Sequence, residues 1–208
     1  MVDNYKEVIR DIIDYAEKEN IPIMQKEGIY YLTSYIDKHD ITNILEIGTA
    51  IGFSAIMMSM VRDDIKVTSI EKDEKRYLEA VKNVKRMGLE DRITLVFNDA
   101  LKVNLDDKYD LIFIDAAKSK NRDLFEKFQS LLKPDGVIVT DNMNFHGLIN
   151  KDEEEIKSKN LKGLVRKVKE YHEFLKTNKN YDTEIINVGD GVAFSKRKKV
   201  GDKYVWWF

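Results

Sequence analysis

Three short stretches carry the residue types that acid–base and metal chemistry need. The apolar run Leu111-Ile112-Phe113-Ile114 leads into Asp115, the run Val137-Ile138-Val139-Thr140 leads into Asp141-Asn142, and Lys118 follows Asp115 by three residues. Both runs read as buried strands. If they lie side by side and parallel, their ends bring together two carboxylates and an amide carbonyl. Completed by water and substrate, that set suits an octahedral hard cation such as magnesium. The structural alternative is that Asp115 caps a loop and Asp141-Asn142 forms a turn. Lys118 is close enough to share the corner. A loop lysine taken alone is ordinarily a solvated surface charge, which is the reading given to Lys120 and Arg122.

A second constellation begins earlier. Asn43-Ile44-Leu45-Glu46-Ile47 breaks at Gly48-Thr49-Ala50-Ile51-Gly52 and continues as Phe53-Ser54-Ala55-Ile56-Met57-Met58. A strand that ends in such a turn and reopens as a helix is expected to place bare backbone N–H groups beside a ligand. A phosphate loop would need Lys-Ser or Lys-Thr after the second glycine, and Phe53-Ser54 stands there instead. A dinucleotide fingerprint would read G-x-G-x-x-G, and only Gly48 and Gly52 are present. The next strand ends in Glu71, about 20 residues after the turn, where a carboxylate can bond both ribose hydroxyls. A further strand ends at Asn98-Asp99-Ala100, where Asp99 can accept from an exocyclic adenine amine. Each carboxylate alone is an ordinary strand end, but in this order they read as a nucleoside pocket.

The elements that position these groups follow from periodicity. Residues 5–18 and 28–39 have helical apolar spacing, the first as a packing or dimer helix. Strands are expected at 43–47, 67–71, 93–97, 111–115 and 137–140, alternating with helices. Lys133-Pro134-Asp135-Gly136 reads as a turn into the last of these, and 183–188 with 192–195 as a β-hairpin around Gly189-Asp190-Gly191. The alternation predicts an α/β fold with a mostly parallel sheet, helices on both faces and a C-terminal hairpin, seven strands in all. The 208 residues, 43% hydrophobic and 35% charged, suit one domain. Within it, 1–40 hold the N-terminal helices, 41–196 the catalytic core and 197–208 a tail. There is no cysteine, which excludes disulfides and thiolate metal sites, and the net charge of −2 excludes a globally basic nucleic-acid binder. Without a membrane-length apolar run or a signal-peptide core, the expected location is the cytoplasm, with no membrane partner.

On Glu46-Ile47-Gly48-Thr49-Ala50-Ile51-Gly52-Phe53-Ser54, Phe113-Ile114-Asp115-Ala116-Ala117-Lys118 and Thr140-Asp141-Asn142, the chain resembles the class I S-adenosylmethionine-dependent methyltransferases. Within them it is similar to the catechol and caffeoyl-CoA O-methyltransferases. The resemblance runs from Pro22-Ile23-Met24 to Gly189-Asp190-Gly191-Val192-Ala193. It implies a Rossmann-like methyltransferase fold and S-adenosylmethionine held by Met24, Gly48, Ser54, Glu71, Asp99, Ala100 and Asp115. It also implies a magnesium or manganese ion on Asp115, Asp141 and Asn142, with Lys118 as general base. An ammonium beside a divalent cation loses its proton more readily, which makes such a base plausible. A homodimer through the N-terminal helices is implied as well.

The acceptor is the open question. Chelation favours two vicinal oxygens, as in a catechol, and 5-hydroxyuridine presents the same geometry. Between Ile156 and Lys169 stand six basic residues and no acidic one. As a helix, Lys159, Lys162, Arg166 and Lys169 share one face, and Leu161, Leu164, Val165, Val168 and Leu175 the other. An amphipathic surface helix would read the same way. This segment, with Pro22-Ile23-Met24 and the glycine turn, nevertheless looks like the bacterial tRNA 5-hydroxyuridine methyltransferases, which makes a tRNA anticodon loop the expected substrate. The alternative is a small catechol, hydroxycinnamoyl thioester or other phenol. His146 is a weaker candidate for a substrate contact, and the aromatic tail Tyr204-Val205-Trp206-Trp207-Phe208 for base stacking or dimer packing.

Overall fold

The computed structural model describes residues 4–199, so the aromatic tail lies outside the described residues. Seven strands form one sheet in the order β3-β2-β1-β4-β5-β7-β6. These are β1 (Asn43–Ile47), β2 (Lys66–Glu71), β3 (Ile93–Phe97), β4 (Tyr109–Ile114), β5 (Leu132–Thr140), β6 (Tyr181–Ile186) and β7 (Val192–Arg197). The first five run parallel, and β7 is antiparallel to both β5 and β6. Strand order reverses between β1 and β4, and their carboxyl ends open on the crevice where ligands of doubly wound sheets bind.

The sheet core is legible in residue type. Ile44, Leu45, Ile47, Leu111, Ile112, Phe113 and Ile114 are almost wholly excluded from solvent, as parallel strands covered on both faces must be. One face packs on α1 (Tyr5–Lys18), α2 (Lys26–Lys38), α3 (Phe53–Ser59) and α4 (Glu74–Arg86), through Ile12, Leu32, Ile36, Ile56 and Val84. The other packs on α5 (Asn121–Phe128) and α6 (Lys159–Lys176), through Leu124, Phe125, Tyr171 and Leu175. The first helix therefore spends Ile12 and Ala16 on the chain's own core. Among the described residues no helix is long and apolar enough to cross a membrane.

Three expectations change. Lys133-Pro134-Asp135-Gly136 does not precede β5 but interrupts it, because Leu132 already pairs with Tyr109 and pairing resumes at Val137 opposite Leu111. The extra residues bulge outward at a proline that cannot donate to the ladder, and Lys133 Nζ closes the bulge on Asp110 Oδ1 at 2.8 Å. In the hairpin β6 is shifted two residues toward its start, from Tyr181 to Ile186, and β7 runs on to Arg197, which pairs with Tyr181. In α6, whose N-cap Ser158 accepts from Leu161 N, Leu164 is exposed while Val165, Val168, Tyr171 and Leu175 are buried. At ~100° per residue Leu164 lies on that same stripe, four and seven residues before Val168 and Tyr171, so its exposure is not a matter of helical phase.

Candidate active site

The glycine turn is shaped by the strand beside it. Gly48 has φ +105°, and a Cβ there would lie 2.1 Å from the Asp115 carbonyl oxygen, so only glycine lets the end of β1 pass the end of β4. Four of the turn's N–H groups are spent internally, more than expected. Gly48 N and Thr49 N donate to Ile70 O at 3.0 and 3.2 Å, Gly52 N donates to Thr49 O, and Ala50 N donates to Glu71 Oε2 at 2.8 Å. With these four donors spent internally, the strand end of the turn has little left for phosphate, which agrees with its missing lysine. Glu71 is also busier than its strand-end position suggests. Its Oε1 accepts from Lys72 N and Asp73 N at 2.8 and 2.9 Å, so this carboxylate ties the glycine turn to the start of α4.

A cavity of about 530 Å³ opens above the switch point. From the β1–β3 side it is lined by Gly48, Ser54, Glu71, Asp99 and Ala100, and from the β4–β5 side by Asp115, Lys118, Asp141 and Asn142. Met24, on the segment before α2, forms part of a third wall. Asp99 turns one oxygen back to Leu101 N at 2.9 Å, which fixes the strand-end turn that carries Ala100. His146 is at the rim with its side chain largely exposed, beside Phe145. Lys120, read from sequence as surface, also borders the cavity while pairing with Asp123.

The β4–β5 corner has unusual electrostatics. Lys118 Nζ lies 3.0 Å from Asp115 Oδ1, with both side chains mostly shielded from solvent. Asp141 is 3% exposed. Burial, and then the neighbouring Asp115 carboxylate, push its pKa up to about 7 against the partial relief of Lys118 and the Asn142 backbone N–H. Asn142 sits at φ +59° and gives its amide N–H to Asp190 Oδ2 at 3.3 Å, which leaves the amide oxygen as its other end. Among the described residues no three His, Cys, Asp or Glu side chains are grouped to hold a metal. A cation here would therefore need the Asn142 amide oxygen beside the two carboxylates. That all-oxygen set, with one carboxylate short of partners, fits a hard divalent ion.

Elements behind the corner hold it in place. Thr140 and Tyr171 share a buried hydroxyl hydrogen bond of 2.9 Å, and His172 Nε2 reaches Met143 O at 2.7 Å, so α6 braces the end of β5. Beneath the glycine turn Glu46 is wholly buried and accepts from Ser69 Oγ, which is itself bonded to Thr49 Oγ1, while Glu46 Oε1 has no partner. Burial raises its pKa to about 7. In the sequence Glu46 stands only as part of the turn motif and Asp190 only as a hairpin residue. A carboxylate in the middle of an apolar strand was the available signal for the first.

The basic residues stand apart from this arrangement. Lys159, Arg166 and Lys169 are exposed on α6 and Lys162 is half-buried, and none of the four lines the cavity.

Sheet order and cavity together define a Rossmann-like α/β protein with a ligand site at its switch point. The chain matches the O-methyltransferase family over residues 3–198 and belongs to that family. Among solved structures it is similar to a Staphylococcus aureus protein provisionally described as a caffeoyl-CoA O-methyltransferase. The two are 36% identical with a TM-score of 0.86, covering 91% of this chain and 92% of that one. The caffeoyl-CoA O-methyltransferase of Populus kitakamiensis is 25% identical over 191 residues, which is 88% of this chain and 81% of the relative. The Podospora anserina methyltransferase PaMTH1, solved with S-adenosylhomocysteine, shares the fold at a TM-score of 0.82 and 21% identity, covering 96% of this chain and 89% of that one.

Proposed function

We propose that this O-methyltransferase moves the methyl group of S-adenosylmethionine to one hydroxyl of a small catechol-type or related phenolic acceptor, assisted by a divalent cation. The observation that carries the reading is the meeting of Asp115, Lys118, Asp141 and Asn142 across one cavity from Gly48, Ser54, Glu71, Asp99 and Ala100. The methyl donor occupies the β1–β3 side. Glu71 receives the ribose hydroxyls and Asp99 with Ala100 the adenine, while Gly48, Ser54, Met24 and Asp115 surround the methionine part. Asp115, Asp141 and Asn142 would hold magnesium or manganese, which when bound supplies Lewis acidity toward a chelated hydroxyl.

The chain's own residues do the rest. Lys118 takes the proton of the acceptor hydroxyl on Nζ, next to the Asp115 carboxylate that stabilises the ammonium so formed. The acceptor oxygen attacks the methyl carbon in line, the C–O bond forms as the S–C bond breaks, and the thioether leaves as neutral S-adenosylhomocysteine. Charge is annihilated in this step, so alignment and exclusion of water contribute most. Support for a small acceptor comes from the cavity's size and from a relative named for caffeoyl-CoA.

A second reading, methylation of 5-hydroxyuridine in a tRNA anticodon loop to 5-methoxyuridine, is favoured by the exposed Lys159, Arg166 and Lys169. Those side chains could grip phosphates outside the cavity. The experiment presents purified protein with S-adenosylmethionine and magnesium, and with either a panel of vicinal-dihydroxy phenols or 5-hydroxyuridine-containing tRNA. Chelator-sensitive methylation of the phenols is the expected result. Transfer to tRNA with none to any phenol would replace the first reading by the second.

A further inference from the structure

The turn Gly189-Asp190-Gly191 between β6 and β7 reaches across the end of β5 and holds the segment 142–147. Asp190 is 5% exposed, and its two carboxylate oxygens divide their work. Oδ2 accepts from Asn142 Nδ2 at 3.3 Å, and Oδ1 accepts from His146 N at 2.6 Å. Its backbone oxygen accepts from Asn144 N at 2.7 Å, and Gly191 O from Met143 N at 2.9 Å. A Cβ on Gly191 would meet the Asn144 side chain at 2.8 Å, so the two segments are in close contact. The segment they hold is strained, since Asn142, Phe145 and His146 all have positive φ, at 59°, 45° and 55°.

An asparagine amide has a donor end and an acceptor end of nearly the same shape, and a hard cation can use only the oxygen. A buried carboxylate that accepts but does not donate removes the ambiguity. We propose that Asp190 is a positioning residue: it holds the Asn142 NH₂ so that the amide oxygen is the end offered to the cation corner, and through His146 it pins the acceptor side of the cavity. The inference rests on the metal corner described under the proposed function, and it concerns a residue outside that corner's ligand set.

The test uses the full chain and Mn2+ alone, with binding read by electron paramagnetic resonance, and S-adenosylhomocysteine binding read separately by calorimetry. Asp190→Asn keeps the shape but turns an acceptor into a group that can donate to Asn142. Mn2+ affinity is expected to fall about 10- to 100-fold, the range for partners that orient a metal ligand. S-adenosylhomocysteine affinity should stay unchanged. In the charge-conserving swap Asn142→Asp with Asp190→Asn, residue 142 offers oxygen in either orientation and residue 190 donates to it, so Mn2+ affinity should recover. Wild-type affinity in the single variant, or no recovery in the swap, overturns the proposal. If the single variant does not fold, the swap decides alone: near-wild-type Mn2+ binding supports the proposal and weak binding overturns it. Failure of the wild-type protein to bind Mn2+ would instead strike the metal corner itself.

Discussion

The two sides of the cavity are built differently. The β1–β3 side is assembled from one continuous stretch, residues 46–100, and its turn is set by backbone hydrogen bonds such as Gly48 N and Thr49 N to Ile70 O. The β4–β5 side is assembled from distant segments by side chains. Asp115 pairs with Lys118, Asn142 with Asp190 and Met143 O with His172. Backbone-built sites tolerate side-chain change, whereas side-chain-built sites concentrate their sensitivity in a few residues. The β1–β3 half should therefore persist when the β4–β5 half is damaged.

Removing the proposed base, Lys118, is the sharpest way to separate the halves. Lys118→Ala should lower kcat about 10²- to 10⁴-fold, the usual worth of a positioned general base, while calorimetric S-adenosylhomocysteine affinity remains close to wild type. A parallel loss of cofactor binding would break the distinction between the halves.

Glu46 tests whether the donor side carries a cost beneath its turn. Its folded pKa of about 7 lies above the 4.5 of an ordinary glutamate, so the folded state retains a proton that the unfolded state gives up between those values. Its contribution to stability is therefore complete below pH 4.5 and lost as pH rises through about 7. Glu46→Gln should be as stable as wild type at the acid end and more stable above pH 7, by up to about 3 kcal/mol. Denaturant unfolding across that range measures it.

Smaller effects follow. Glu71→Ala should weaken S-adenosylhomocysteine binding by about 1.5–3 kcal/mol, the range for hydrogen bonds to a charged group, and leave kcat at saturating cofactor largely intact. Replacing Lys162 and Arg166 together by alanine should change turnover on a small phenol less than about twofold, the scale of surface substitutions. A large loss of tRNA binding in the same variant, with phenol turnover unchanged, would favour the tRNA reading.

Legibility in the sequence divides along the same line. Strand-end residues such as Glu71, Asp99, Asp115 and Asp141 could be placed because an apolar run ending in an acid is a local pattern, and the parallel topology brings such ends to one edge. Asp190 could not be assigned its partners, since it stands 48 residues from Asn142 and nothing local records that pairing. The interruption of β5 was hidden for a related reason. Its Pro-Asp-Gly signal is that of a turn, and only the pairing of Tyr109 with Leu132 places strand on both sides of it. Leu164 shares the helical phase of the buried Val168, Tyr171 and Leu175, so its exposure depends on what packs against the first half of α6, which the local pattern does not record. The donor state of the glycine turn also depends on β2, whose Ile70 carbonyl consumes two of its N–H groups.

The close passage of Gly48 against the Asp115 carbonyl works as a spacer between two workpieces. Asp115 N also donates to Ile47 O at 3.0 Å, so the ends of β1 and β4 are joined on both sides of the gap. Methyl transfer needs its two reacting atoms in near-attack geometry, where a misplacement of about 1 Å can cost about 10²-fold. A Cβ at residue 48 would collide with the Asp115 carbonyl oxygen, so any bulkier residue there would push the ends of β1 and β4 apart and with them the two walls of the cavity.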